Sequence, residues 1–110
     1  MLTLAIIQER MKKLKNWGLE SNFIVKDFSF DSFKEAVDFV NKIGEIAQKQ
    51  NHYPDIVIAE RIVRLSLTTH LERGLTSADF ELAEEIDKLE IQDLPKVNDI
   101  PSIDKTDEIK

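Results

Sequence analysis

Residues 61–69 have the sequence RIVRLSLTT, in which apolar and polar side chains alternate. Successive side chains of a strand point to opposite faces of the sheet, so this period of two predicts a strand with one buried face. The predicted buried face consists of Val63, Leu65 and Leu67, and the opposite face of Arg64, Ser66 and Thr68. Residues 56–58 are Ile-Val-Ile and predict a shorter strand just before it, so the two segments together predict a hairpin.

A second hairpin is predicted nearer the N-terminus. Residues 19–30 are rich in aromatic and β-branched side chains and show no helical period. Within them, the Ser-Asn pair at 21–22 is typical of a turn. We therefore predict a short strand at 18–21 and a longer strand at 23–30.

Three other segments carry apolar residues at helical spacing. The first predicted helix covers residues 3–15, and Gly18 beyond it is predicted to take the left-handed conformation that stops a helix. Asp31 is the predicted N-cap of a second helix that continues to about residue 50, and Thr76 starts the third. The predicted apolar face of the second helix consists of Phe33, Ala36, Val37, Val40, Ile43, Gly44 and Ala47.

The predicted elements follow the order helix, strand, strand, helix, strand, strand, helix. This order predicts an α+β fold in which a four-stranded antiparallel sheet carries three helices on one face. A chain of 110 residues suits one domain, which we assign to residues 1–90. Residues 91–110 include Pro95 and Pro101, are rich in acidic side chains and have no sustained period, so they predict an extended or disordered tail.

The composition excludes several classes of function. The chain has no cysteine, which rules out disulfides, thiolate catalysis and cysteine-based zinc sites. Its net charge of -6 is the opposite of what a nucleic-acid-binding surface needs. No apolar run approaches the roughly 18 residues of a membrane span, and residues 2–7 are too short for a signal peptide. We therefore expect a cytoplasmic protein that binds neither nucleic acid nor membrane.

The only two histidines are candidates for acid–base chemistry. His52 follows the second predicted helix and His70 ends the last predicted strand, so the intervening hairpin could bring both imidazoles to one rim of the sheet. The ordinary pKa of an imidazole is about 6.5, which suits proton transfer near neutral pH. The alternative to a shared site, which the spacing alone does not exclude, is that the two are unrelated surface histidines. Two imidazoles without a third ligand support a metal site only weakly.

Two other residues have a structural explanation as well as a functional one. Asp79 is three residues after Thr76, and this spacing fits a capping box at the start of the last helix. Capping alone would explain both Thr76 and Asp79. Trp17 is the only tryptophan, and a tryptophan belongs to a core more often than to a ligand site.

Several short motifs follow one another along most of the chain. They are Asn51 to Ile56 (NHYPDI), Leu67 to His70 (LTTH), Gly74 to Thr76 (GLT) and Asp79, preceded by Trp17-Gly18, Phe28-Ser29-Phe30, Phe33, Ala36 and Phe39. Together they resemble the pterin-4a-carbinolamine dehydratase family, which has a histidine pair followed by proline, a strand ending in Thr-His, a Gly-Leu-Thr/Ser turn and an aspartate. The resemblance covers roughly residues 4–90, and the spacing from His52 to His70 to Asp79 matches without a gap.

This resemblance implies an enzyme, a hydro-lyase that dehydrates 4a-hydroxytetrahydropterin to quinonoid dihydropterin and so recycles the cofactor of aromatic amino-acid hydroxylases. It implies histidine acid–base catalysis with no metal and no bound cofactor. The implied partners are the small-molecule pterin substrate and further copies of the chain, in a homodimer or homotetramer. The implied catalytic residues are His52, His70 and Tyr53, and the implied substrate-binding residues are Trp17, Pro54, Asp55 and Asp79.

Three positions depart from the family pattern. Tyr53 stands in the place of the second histidine, and a phenol with an ordinary pKa of about 10 donates a hydrogen bond but is a poor base at neutral pH. Gln48 replaces an acidic residue, and Glu60 replaces an aromatic one. These departures keep two alternatives open: a non-catalytic binding or assembly module on the same fold, and a related enzyme that acts on a different pterin.

Overall fold

The computed structural model describes residues 2–89, so the predicted tail of residues 91–110 lies outside the described part. In chain order the elements are helix α1 (Leu4–Met11), strands β1 (Gly18–Glu20) and β2 (Phe23–Ser29), helix α2 (Phe33–Gln50), strands β3 (Asp55–Ala59) and β4 (Ile62–Leu67), a short 3-10 helix (His70–Glu72) and helix α3 (Ser77–Asp87). The predicted α+β fold is confirmed, with its four antiparallel strands and three α-helices in the predicted order. None of the helices described is long and apolar enough to cross a membrane.

The strands lie side by side in the order β1-β2-β4-β3, and each neighbouring pair is antiparallel. The two hairpins therefore meet at the central pair β2–β4, in which Ile24 is opposite Leu67. Both hairpins turn through two residues. The first residue of each turn has a left-handed backbone, with φ 55° at Ser21 and at Glu60.

The core lies between the sheet and the helices. The predicted buried face of β4 is confirmed, because Val63, Leu65 and Leu67 are all 0% exposed. Helix α2 packs against β3, β4 and α3. The buried residues of these two helices are Ala36, Phe39, Ile43 and Ala47 in α2, and Asp79, Phe80, Leu82, Ala83 and Ile86 in α3.

The buried face of α2 differs from the predicted one at its beginning. The N-cap is Ser32 and not Asp31, because the Ser32 hydroxyl accepts a hydrogen bond from the Glu35 N–H at 3.1 Å. Phe33 is the first helical residue and is 60% exposed. Phe39, which the predicted face omits, is 2% exposed, and its ring centroid lies 4.5 Å from that of Phe28. The aromatic packing of this helix therefore begins two turns into it.

Helix α1 is shorter than predicted, since it ends at Met11 and not at residue 15. The chain continues in tighter turns, with a hydrogen bond from the Leu14 N–H to the Met11 carbonyl at 3.1 Å. The left-handed residue beyond the helix is Asn16, with φ 64°, and not Gly18, which begins β1. Asparagine is among the few non-glycine residues that adopt this conformation readily, but it follows the right-handed C-cap Lys12 by four residues and does not itself end the helix.

Candidate active site

Asp79 lies in the first turn of α3 and is completely buried. The hydroxyl of Thr76 accepts a hydrogen bond from the Ala78 N–H at 3.3 Å, and Asp79 Oδ2 accepts one from the Thr76 N–H at 2.9 Å. The capping box predicted from the sequence is therefore confirmed. Capping uses only one carboxylate oxygen, so Oδ1 is available to a partner outside the helix.

His52 is placed by the way in which α2 ends. Asn51 has a left-handed backbone (φ 55°, ψ 39°) and donates its N–H to the carbonyl of Gln48 at 3.3 Å. The His52 N–H bonds the carbonyl of Ala47 at 3.2 Å. These two bonds form a Schellman motif, which reverses the chain sharply at the helix end. The backbone of His52 is therefore hydrogen-bonded to the end of α2, and the imidazole is carried by this helix end.

The imidazole of His52 meets Asp79, with 2.6 Å between Nε2 and Oδ1. The two side chains are 16% and 0% exposed, respectively. An ionised carboxylate only accepts hydrogen bonds, so Nε2 must carry the proton that is shared with Asp79. Among residues 2–89, Nδ1 of His52 has no hydrogen-bond partner, and in the neutral ring it is the nitrogen with a free lone pair. This pair can accept a proton at Nδ1 while Asp79 compensates the resulting charge.

Thr69 connects Asp79 to the end of the sheet. Its hydroxyl donates to Asp79 Oδ2 at 2.8 Å, and its Oγ1 lies 2.7 Å from the hydroxyl oxygen of Thr76. The candidate site residues predicted from the sequence include neither threonine. Both lie in motifs that the resemblance does include, but nothing in the spacing of a sequence shows that the Thr69 hydroxyl and the Thr76 N–H are directed at the same carboxylate oxygen.

His70 occupies a different environment from His52. Strand β4 ends at Leu67, so His70 begins the 3-10 helix and does not end the strand as predicted. The reason is local: Thr69 pairs only with Gly74, across a tight turn whose Arg73 has a left-handed φ of 58°. Nε2 of His70 lies 3.8 Å from Asp55 Oδ1, and these side chains are 69% and 57% exposed. An edge of the ring faces Phe23, with 6.3 Å between centroids.

Both histidines nevertheless lie at the same end of the sheet. Asp55, the partner of His70, begins β3 three residues after His52 and is opposite Ser66 near the end of β4. Thr69, which is hydrogen-bonded to the carboxylate that holds His52, directly precedes His70 in the chain. The two imidazoles thus extend from backbone segments that meet at this end, one partly buried and one largely exposed.

Tyr53 and Pro54 lie between these segments. The Tyr53 hydroxyl donates to Asn51 Oδ1 at 3.3 Å, and the residue is 53% exposed. Pro54 is half-buried. No hydrogen bond in residues 2–89 joins the phenol to either imidazole, so a role for Tyr53 at the site stays a prediction.

Trp17 belongs to a separate cluster. It is 8% exposed, and its indole N–H donates to Asp87 Oδ1 at 3.0 Å. Lys26 of β2 also bonds Asp87, and its ammonium lies 5.9 Å from the centroid of the Trp17 ring. The other oxygen of Asp87 accepts the N–H of Lys15 at 2.9 Å. Within residues 2–89, no hydrogen bond or ion pair connects this cluster with the His52–Asp79 pair. The cluster holds the end of α3 against β2 and the segment after α1.

The other departures from the family pattern also have defined places. Gln48 contributes its backbone carbonyl to the Schellman motif before His52, and Glu60 lies exposed in the turn between β3 and β4. Within the described residues, no group of three histidine, aspartate or glutamate side chains is arranged to hold a metal ion. The candidate site is therefore built from the His52–Asp79–Thr69 network and the more open His70–Asp55 pair.

Residues 1–89 match the model of a protein family described as pterin 4 alpha carbinolamine dehydratase. A relative from Sulfurisphaera tokodaii is 48% identical over 88 residues, which cover 80% of this chain and 95% of the relative. A second, from a Picosynechococcus strain, is 43% identical over 88 residues, with 80% and 96% covered. The names of both assign them provisionally to the pterin-4-alpha-carbinolamine dehydratases.

Two solved structures resemble the fold. A transcriptional coactivator/pterin dehydratase from Brucella melitensis has a TM-score of 0.72 and 29% identity, covering 77% of this chain and 93% of its own. A pterin dehydratase-like protein identified as a RuBisCO assembly factor in the alpha-carboxysome has a TM-score of 0.52 and 16% identity, covering 67% and 84%, and at that identity it shows the fold alone. The family model spans the whole described domain, and the chain belongs to the pterin-4-alpha-carbinolamine dehydratase family.

Proposed function

We propose that this protein dehydrates 4a-hydroxytetrahydropterin to quinonoid dihydropterin. The observation that carries the proposal is the 2.6 Å contact between His52 Nε2 and the buried Asp79, within a chain that belongs to the dehydratase family. A buried carboxylate behind an imidazole fixes which nitrogen is protonated and stabilises the imidazolium that forms during catalysis. The pair is thus suited to general acid–base chemistry.

The reaction requires two proton transfers and no redox change. The bond between C4a and the hydroxyl oxygen breaks, and a proton delivered to that oxygen lets it leave as water. A ring nitrogen loses its proton, and its electron pair forms the new double bond to C4a. One group must therefore give a proton and another must take one, within reach of the same ring system.

We assign the base to His52. Its Nδ1 has no hydrogen-bond partner among the residues described, while Nε2 is held by Asp79. When Nδ1 takes the proton from the pterin nitrogen, the ring becomes positive, and the carboxylate at 2.6 Å compensates this charge. No proton needs to move to Asp79, so the carboxylate stays ionised throughout.

We assign the acid to His70. Its protonated ring would pair with Asp55, whose Oδ1 lies 3.8 Å from Nε2, and its high exposure lets it regain a proton from solvent after each turnover. Tyr53, with its exposed hydroxyl, and the half-buried Pro54 lie in the segment between the two histidines and would border the bound pterin. Trp17, whose N–H is bonded to Asp87, takes no part in the proton transfers that we assign, and its contribution to substrate binding stays a prediction.

The test is a dehydration assay on freshly prepared 4a-hydroxytetrahydropterin. We expect a rate clearly above the spontaneous reaction, and a loss of about 100-fold or more in His52→Gln and in His70→Gln, the range for removal of a general acid or base. Lys34→Gln is the matched control, because this lysine is exposed on α2 and its only ion-pair partner among residues 2–89 is Asp38. Wild-type protein that does not exceed the spontaneous rate would refute the proposal.

The alternatives lead to different results in the same assay. An enzyme for another pterin would leave the simple pterin unchanged and accept a larger or differently substituted one. A non-catalytic assembly module would accept neither. The assembly factor among the structural neighbours is only 16% identical, so it lends this last hypothesis a shared fold and nothing specific to these residues.

A further inference from the structure

The two oxygens of Asp79 have different partners. Oδ1 is bonded to His52 Nε2 at 2.6 Å. Oδ2 accepts two hydrogen bonds, from the Thr69 hydroxyl at 2.8 Å and from the Thr76 N–H at 2.9 Å. Helix capping accounts for the Thr76 bond, but neither Thr69 nor His52 is needed for it.

The direction of the hydroxyl bonds follows from these contacts. Asp79 Oδ2 only accepts, so the single hydroxyl proton of Thr69 is directed at it. The 2.7 Å contact between the two hydroxyls must then use the proton of Thr76, which donates to Thr69. The Thr76 oxygen in turn accepts the Ala78 N–H. The result is a chain in which each hydroxyl has one donor and one acceptor, and it ends on Oδ2.

We propose that Thr69 is a positioning residue: with the Thr76 N–H it holds one oxygen of Asp79, so that the other faces His52 and keeps its imidazole in the Nε2–H form with Nδ1 free. The use that we assign to Nδ1 rests on the proposed dehydration. The positioning itself concerns a proton on a ring nitrogen and can be measured without substrate.

The proposal makes an unusual prediction for Asp79→Asn. An amide has one acceptor oxygen and one donor nitrogen. Two donors, from Thr69 and Thr76, point at the Oδ2 position, so the amide oxygen must take that place and the NH₂ group must face His52. The NH₂ then donates to Nε2, and the ring proton moves to Nδ1. The conservative substitution would invert the tautomer of His52.

The experiment is nitrogen NMR on protein labelled with ¹⁵N-histidine, in which protonated and unprotonated ring nitrogens resonate far apart. The chain has two histidines, so a His70→Gln background assigns all the remaining ring signals to His52. We expect Nε2–H in the otherwise unchanged protein and a preference of at least about tenfold for Nδ1–H in Asp79→Asn, since the opposite amide orientation leaves buried donors unpaired.

The part played by Thr69 is tested in the Asp79→Asn background. Thr69→Val removes the hydroxyl at nearly constant volume and should return a measurable fraction of His52 to Nε2–H, whereas Thr69→Ser should keep Nδ1–H. Thr69→Ala serves as the hydroxyl-free variant if the valine protein does not fold. An unchanged Nε2–H form in Asp79→Asn would overturn the proposal. Persistence of Nδ1–H without the Thr69 hydroxyl would also overturn it, by assigning the control to the Thr76 amide alone.

Activity measurements separate this inference from the proposed function. If the protein is a dehydratase, Thr69→Val should lower kcat with little change in KM, and Thr69→Ser should restore kcat. If the wild-type protein does not dehydrate the pterin, the proposed function fails while the NMR result still decides the role of Thr69. If the wild-type protein dehydrates the pterin but the His52 tautomer does not change as expected in the Asp79 and Thr69 variants, only the positioning role is refuted.

Discussion

The ammonium of Lys26 lies 3.1 Å from Asp87 Oδ1, and the two side chains are 6% and 7% exposed. Asp87 also accepts the indole N–H of Trp17 and the backbone N–H of Lys15, so one carboxylate satisfies three donors from two other parts of the chain. A buried charge without its partner is far more costly than an exposed one. The stability of the domain should therefore depend strongly on this residue.

We expect Asp87→Asn to lower the free energy of unfolding by about 3–5 kcal/mol, because the charge of Lys26 would remain buried without compensation. Urea unfolding followed by the fluorescence of Trp17, the only tryptophan, measures this change. Asp38→Asn is the matched control. Asp38 and its partner Lys34 are 54% and 83% exposed, so this substitution should change the free energy of unfolding by no more than about 0.5 kcal/mol. Equal effects of the two substitutions would contradict the expectation.

The two histidines should differ in their effect on stability. His52→Ala leaves the buried Asp79 without the donor at Oδ1, which should lower the free energy of unfolding by about 2 kcal/mol. His70 is 69% exposed, so His70→Ala should change it by at most about 0.5 kcal/mol. Both substitutions should abolish most of the dehydration activity. Thermal or urea unfolding of the two variants side by side tests the difference, and similar losses of stability would speak against it.

Glu60→Gly should stabilise the protein. Glu60 has φ 55° in the turn between β3 and β4, a conformation that costs an ordinary L-residue about 1–2 kcal/mol and glycine much less. After the larger entropy loss of glycine on folding, we expect a gain of about 0.5–1 kcal/mol. Glu20→Gly is the control in β1, where φ is not positive, and it should destabilise by a similar amount. Loss of stability in Glu60→Gly would show that the turn depends on the glutamate side chain.

Asn51 tests whether the helix end positions His52. Asn51→Gly preserves the left-handed conformation and should leave stability within about 0.5 kcal/mol of wild type. Asn51→Ala should cost about 1 kcal/mol and also reduce the dehydration rate, because relief of the strained backbone displaces the next residue, His52. Urea unfolding and the dehydration assay measure the two effects. Full activity in the alanine variant would mean that Asp79 alone is sufficient to hold the imidazole.

The parts of the fold that could be predicted are those governed by local periodicity. Val63, Leu65 and Leu67 alternate with polar residues, and their burial follows directly from the pleat of a strand. The capping box of Thr76 and Asp79 is likewise a local pattern. Helix ends were less predictable, because Ser32 and Asp31 are both good caps and only the packed helix selects one of them.

The contacts that matter most to the site are not local. The 2.6 Å bond of His52 to Asp79 joins the end of one helix to the start of another, and no period in the sequence encodes it. Burial of Lys26 was also unpredictable, since a lysine is tolerated there only because Asp87 reaches it from α3. The resemblance of motifs places His52, His70 and Asp79 in one pattern, but the hydrogen bond from the Thr69 hydroxyl to Asp79 is apparent only in the three-dimensional structure.

The pairing of β2 with β4 at the centre of the sheet has a consequence for how the chain folds. Each hairpin joins neighbouring residues, whereas the pairing of Ile24 with Leu67 must wait until α2 and the second hairpin have been brought back across the first. Closing so long a loop is the entropically expensive step, and distant pairings of this kind slow folding. His52, Thr69 and Asp79 all follow β2 in the chain, and their hydrogen bonds join residues at most 27 positions apart. Recovery of the β2–β4 pairing during refolding should therefore lag behind the formation of the helices and hairpins, and would report the last stage of assembly.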